Sequence, residues 1–151
     1  MEDTMALSTF GAIIGFAAEI IEETKLFCND IKEKTKNPQL KEAIQHLIKE
    51  SEKYYSLMEK TKRENVTEMI LEPITGFEKE DYILNLDVLP KKDDEDLIEI
   101  LLLLLERERR FFEDASNKVS LPEVARILSK ISRKKEETLH LLNDLRGKLS
   151  T

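Results

Sequence analysis

A single cysteine, Cys28, leaves this chain without the means to close an internal disulfide and fits a reducing compartment. Four glycines, four prolines and 6% aromatics beside 36% charged residues are the balance of a helical protein. Basic residues are the minority, 24 against 31 acidic. The resulting net charge of −7 argues against a nucleic-acid binder, because phosphates demand a basic face. No run is long enough to span a bilayer. Met5 to Ala18 has the apolar look of a secretion signal, but Glu2 and Asp3 put acid where such signals carry positive charge. It is read as the buried start of a helix in a cytoplasmic protein. What remains is ample apolar material, 40% of 151 residues, for one domain with a substantial core.

The densest apolar stretch is Leu97 to Phe112, LIEILLLLLERERRFF. An amphipathic helix shows one apolar stripe about 100° wide. Ile100 to Leu105 are apolar without a break, so this turn is expected to be covered on every side. Two covers are possible: another part of the chain, or a partner subunit.

Four helices are expected, at about residues 8–35, 38–63, 93–117 and 120–147. Ser8 or Thr9 is the N-cap of the first, and Ile14, Ala17, Ile21, Cys28 and Ile31 form its inward stripe. Gly11 and Gly15 at GxxxG spacing imply close approach of a neighbouring backbone. Asn37-Pro38 ends the first helix and opens the second, whose inward residues are Leu40, Ile44, Leu47, Tyr54 and Leu57/Met58. A crossover over 64–92 carries Pro73, Gly76 and Pro90, which break helix, yet it is rich in Met69, Ile70, Leu71, Ile74, Phe77, Tyr82, Ile83, Leu84, Leu86, Val88 and Leu89. Those residues need burial, and the outer face of the polyleucine helix, in this chain or in a neighbouring copy, is where they could find it. Acidic residues open the third helix, as its dipole prefers. Leu121-Pro122 opens the fourth, with Val124, Ile127/Leu128, Ile131, Thr138, Leu141/Leu142 and Leu145 inward.

Displacing the chain by 84 residues aligns its halves without a gap. Ile14 meets Ile98, Glu22 meets Glu106, Phe27 meets Phe111, Asp30 meets Asp114, Lys34 meets Lys118, Pro38 meets Pro122, Glu52 meets Glu136 and Leu57 meets Leu141. The apolar registers follow: Ile21/Leu105, Cys28/Phe112, Ile44/Leu128, Leu47/Ile131. Two similar helical hairpins joined by a long crossover describe a pseudo-twofold, all-α four-helix bundle.

The words GFAAEIIEETKLFCNDI, LIKESEKYYSLM, ILLLLLERERRFFEDA and ISRKKEETLHLL, over essentially the whole length, resemble the rubrerythrin branch of the ferritin-like superfamily. The resemblance implies a ferritin-like fold. It also implies two iron or manganese ions held by one Glu from each of two helices and Glu-x-x-His from each of the others. Carried onto this chain, the lone Glu positions fall on Ile21 and Leu105, and the paired positions on Ser51 with Tyr54 and Lys135 with Thr138. None of the six is a usual ligand of such a site. The chain therefore reads as a ferritin-like bundle that has lost its dimetal centre, with no metal and no catalytic residue.

Glu137 and His140 spell Glu-x-x-His on the right helix, but His140 is two residues beyond Thr138, about 200° around the axis. Together with Glu22, Glu50, Glu52 and Glu106 it forms the ligand set of an alternative, rubrerythrin-like diiron protein acting as a peroxidase or iron handler. That set requires every helix to be rotated. Lys135 either turns inward to pair with Glu22, Glu52 or Glu106, or extends to solvent on its aliphatic stem. Cys28 is read as a small buried hydrophobe. His46 has no evident partner. The basic strip of Arg107, Arg109, Arg110, Lys130, Arg133 and Lys134 is read as a solvated, salt-bridged face. These residues give no sign of a rubredoxin-like domain, since its iron needs four cysteine thiolates and Cys28 is the one cysteine here. The favoured function is a non-catalytic scaffold or interaction protein, forming a homodimer or meeting a protein partner through helix 97–105 or the crossover. A binder of a small apolar ligand in the emptied centre is the third reading.

Overall fold

The computed structural model describes residues 6–65 and 74–149. Among these, four long helices carry the fold: α1 Phe10–Ile31, α2 Pro38–Glu64, α3 Asp94–Lys118 and α4 Pro122–Leu149. Among the described residues the regular structure is all-helical, apart from an isolated bridge between Ala6 and Glu78.

Side chains set the helix starts. Thr9 accepts from the Ala12 amide at 3.0 Å, Asn37 from Leu40 at 2.9 Å and Asp93 from Asp96 at 2.9 Å, each satisfying an otherwise orphaned donor. Asp94, Glu95 and Asp96 add charge that suits the positive end of α3. α1 stops at Ile31, short of the expected Thr35. Thr35 instead lies buried in the connection, where its hydroxyl accepts from the Asn37 amide at 3.1 Å and sets up the next cap.

α1 packs mainly on α2, and α3 on α4; the hairpins then meet through α1–α3 and, most thinly, through α2–α4. The crossover closes the α1–α3 side. Its short 3₁₀ turns are Lys79–Tyr82 and Leu86–Val88. Phe77 and Tyr82 pack edge-on to each other and both reach Phe111. Phe16 joins them from α1. Leu84, Leu86 and Leu89 are half-buried against the apolar cluster to which the polyleucine helix belongs, so the chain itself adds cover there. That cover is incomplete: Leu103 remains 38% exposed, against the expectation of burial all round. Ile83 and Val88 are also exposed, while Met69, Ile70, Leu71 and Pro73 lie outside the described residues. Gly15 differs from expectation too. A Cβ there would meet open space, so no backbone is pressed against it.

The core is split. One apolar cluster holds Ile20, Ile21, Tyr54, Phe111, Phe112 and Ile131. The other holds Phe27, Cys28, Leu47, Leu104, Leu105 and Leu142. On every helix the change from one cluster to the other falls at the same level. There, Thr24, Glu50, Ser51, Glu108, Lys135 and Thr138 form a buried polar layer across the bundle.

Candidate functional site

The polar layer centres on Lys135, whose side chain is 1% exposed. A buried ammonium is tolerable only with charged partners. Lys135 Nζ has two, Glu108 Oε1 at 3.1 Å from α3 and Glu50 Oε1 at 3.4 Å from α2. The Thr24 hydroxyl donates to the other Glu108 oxygen and also lies 3.2 Å from the Ile20 carbonyl. Tyr54 closes the layer toward solvent, its ring centroid 5.1 Å from Nζ. Desolvation pulls the Lys135 pKa down, but the Glu108 and Glu50 carboxylates outweigh it and hold the group above the ordinary lysine value. Lys135 is therefore a fixed cation.

The neighbours respond to the same field. Burial, reinforced by Glu108, pushes the Cys28 thiol up to about 12, so it stays protonated and a poor nucleophile at neutral pH. Burial and Glu50 raise the Tyr54 phenol. The Ser51 hydroxyl is buried with no partner among the described residues.

A second buried cation stands beside this layer. Arg107, 2% exposed, donates from Nη1 to Glu23 at 2.8 Å and to the Tyr82 carbonyl at 3.4 Å. Tyr82 in turn donates its hydroxyl to Asp114, and burial with that bond raises its phenol. The crossover is thus latched to α3 by polar bonds as well as by aromatic packing.

Of the positions marked by the family resemblance, Ser51, Tyr54, Lys135 and Thr138 lie in or against the polar layer, whereas Ile21 and Leu105 sit in the two apolar clusters. The rotated carboxylate set does not converge. Glu52 pairs with Lys25 at 3.4 Å, Glu106 with Arg109 at 2.8 Å and Glu137 with Lys134 at 3.7 Å, all on exposed faces. The Arg109 guanidinium holds the Glu106 carboxyl below its ordinary pKa. Glu22 is half-buried and His140 exposed. Only Glu50 of that set points inward, and His46 approaches it from the surface at 3.8 Å. Lys135 does turn inward, but toward Glu50 and Glu108 in place of Glu22, Glu52 or Glu106.

A dimetal site of the ferritin-like type needs four carboxylates and two imidazoles. The layer offers two carboxylates already engaged with an ammonium, and among the described residues no three His, Cys, Asp or Glu side chains gather to hold an ion. The donor set does not fit. Compared with known protein families, functionally described proteins and solved structures, the chain matches none.

The residues that reading the sequence missed are Glu108, Thr24 and the Arg107–Glu23 pair. A signal for Glu108 was present: it falls seven residues after Leu101 and four before Phe112, squarely on the apolar stripe of α3. An acid on a stripe is a buried acid, and a buried acid needs a cation. Both contacts, Thr24 to Glu108 and Glu23 to Arg107, also join residues 84 apart, the displacement that aligns the two halves. Among the described residues, no helix is long and apolar enough to cross a membrane.

Proposed function

We propose that this chain is a non-catalytic, ferritin-like scaffold that acts through interaction, its centre held by an internal cation in place of metal. One observation carries the reading: the Lys135 ammonium lies buried between the Glu108 and Glu50 carboxylates in the middle of a four-helix bundle. Two carboxylates buried side by side need a positive charge between them to offset their lost hydration. Lysine supplies that charge permanently and offers no open coordination position, no redox couple and no general base. The contacts between residues 84 apart support the pseudo-twofold arrangement, since equivalent residues meet one another at a twofold axis.

The test is elemental analysis of protein purified from cells supplemented with iron and manganese. The expected result is metal near zero per chain with full helicity. About two metal ions per chain, lost on Glu50→Ala or Glu108→Ala, would overturn the proposal and return the chain to redox or iron-handling chemistry.

A further inference from the structure

The scaffold reading leaves open which surface does the work. The four seams of the bundle are unequal, and the α2–α4 seam is the thinnest. Two adjoining hollows of about 530 and about 630 Å³ run along it, both open to solvent, lined by α2 and α4 residues and meeting at Lys134 and Glu137. From Gln39 to Leu57 on α2 the groove is about 27 Å long, at about 1.5 Å of rise per residue. An α-helix of about 18 residues has that length.

The floor is apolar, with Leu57, Ile127 and Ile131 at one end and Leu141, 69% exposed, at the other. Around the first end stand Lys53, Lys130 and Arg133. All three are exposed, and none has a carboxylate partner among the described residues. Lys134 adds a fourth cation, paired only with Glu137. On a chain of net charge −7, three cations without a carboxylate partner beside the apolar floor are a local reversal of sign at this end, while the Leu141 end carries Glu42, Glu137 and Asp144 beside Lys148. A small molecule in so open a trough would leave much of its surface in water, whereas small-ligand sites bury most of the ligand. A helix laid lengthwise buries one face and keeps the other wet, as helix-in-groove recognition does.

We infer that the α2–α4 groove docks an amphipathic helix of a partner protein, its apolar stripe on Leu57, Ile127 and Leu141 and its acidic flank against Lys53, Lys130 and Arg133. This rests on the scaffold reading only in taking the chain's work to lie at its surface, and metal analysis and helix docking fail independently.

The probe is a display library of 18-residue helical peptides selected against the full chain. Enriched sequences should carry apolar residues at i, i+3/i+4 and i+7 with Asp or Glu alongside. The double variant Lys130→Glu/Arg133→Glu, altered only at exposed positions and checked for unchanged helicity, should bind them at least tenfold more weakly. Binding should also weaken several-fold as salt rises. No enrichment, basic winners, or indifference to the double variant overturns the inference. So does dodecanoate binding without peptide enrichment, which assigns the groove to a small amphiphile. Self-association abolished by the double variant, again with no enriched peptide, assigns it to a second copy.

Discussion

The two seams between the hairpins make an instructive pair. On the α1–α3 side the crossover lays Phe77 and Tyr82 onto Phe16 and Phe111, and Arg107 and Tyr82 latch it with hydrogen bonds. On the α2–α4 side the hollows are lined by those two helices alone, and the Tyr54 ring that lines one of them stands 5.1 Å from the Lys135 ammonium. The bundle gathers four rings in one seam and leaves the other as an open trough with an apolar floor and charged edges. The covered seam gains stability from its packed rings, whereas the open one leaves an apolar side chain such as Leu141 at the surface.

The largest effect is expected on the sealed side. Phe111→Ala removes the ring on which Phe16, Phe77 and Tyr82 converge, and should cost about 3–5 kcal/mol of unfolding free energy, read by urea titration. A loss under about 1 kcal/mol would show that the crossover does not hold the seam. In the layer between the seams, Lys135→Met strands two carboxylates in apolar surroundings and should cost a similar amount, about 3–5 kcal/mol. Adding Glu108→Gln and Glu50→Gln to it should recover most of that loss, and an additive result would show that the three groups are not coupled.

The next effect is one of pH. The Cys28 thiol is raised from 9.0 in the unfolded chain to about 12 when folded, so the folded state holds its proton more tightly. That contribution is fully present below pH 9 and drains away as pH rises toward about 12. Stability of the native chain should therefore fall over this window more steeply than that of Cys28→Ala. Parallel curves would mean that Cys28 is not shielded. The smallest effect belongs to the open seam, where Leu141→Ala should change stability by no more than about 0.5 kcal/mol. A larger loss would show the groove to be filled in the free protein.

Much of this architecture was legible in the sequence because helices announce their ends and their inward faces locally. Thr9, Asn37-Pro38 and Asp93 are caps whose chemistry acts within three residues, and the stripes through Ile14 or Leu128 repeat with the helical period. The polar layer was half legible. Tyr54 and Thr138 stand out as polar residues at inward spacing on α2 and α4, whereas Ser51 and Lys135 were marked only by the family resemblance, with Lys135 left open between core and solvent. On α1 and α3 the layer lies one turn beyond Ile21 and Leu105, where Thr24 and Glu108 are flanked by other charged residues that mask them. Pairing was the illegible part. Which carboxylate meets Lys135 depends on how far each helix slides along its neighbours, and no local signal records that. The open seam was hidden for a related reason: exposure of Leu141 in place of burial is decided by the thin contact of α2 with α4, not by its position on the stripe.

A polyleucine helix has a weakness that the polar layer answers. Leu101 to Leu105 offer nearly the same greasy surface whichever way α3 is turned, so apolar packing alone admits several rotations of similar energy. Glu108 and Arg107 remove that freedom: a turn of one residue, about 100°, would drag Glu108 from its ammonium and press another charge into the core. The layer acts as a keyway cut through an otherwise featureless shaft, trading some stability for a single register. A chain carrying Glu50→Leu, Glu108→Leu and Lys135→Met should keep its helix content yet show doubled ring resonances for Phe111 and Phe112, and one sharp set would mean that the leucines need no key.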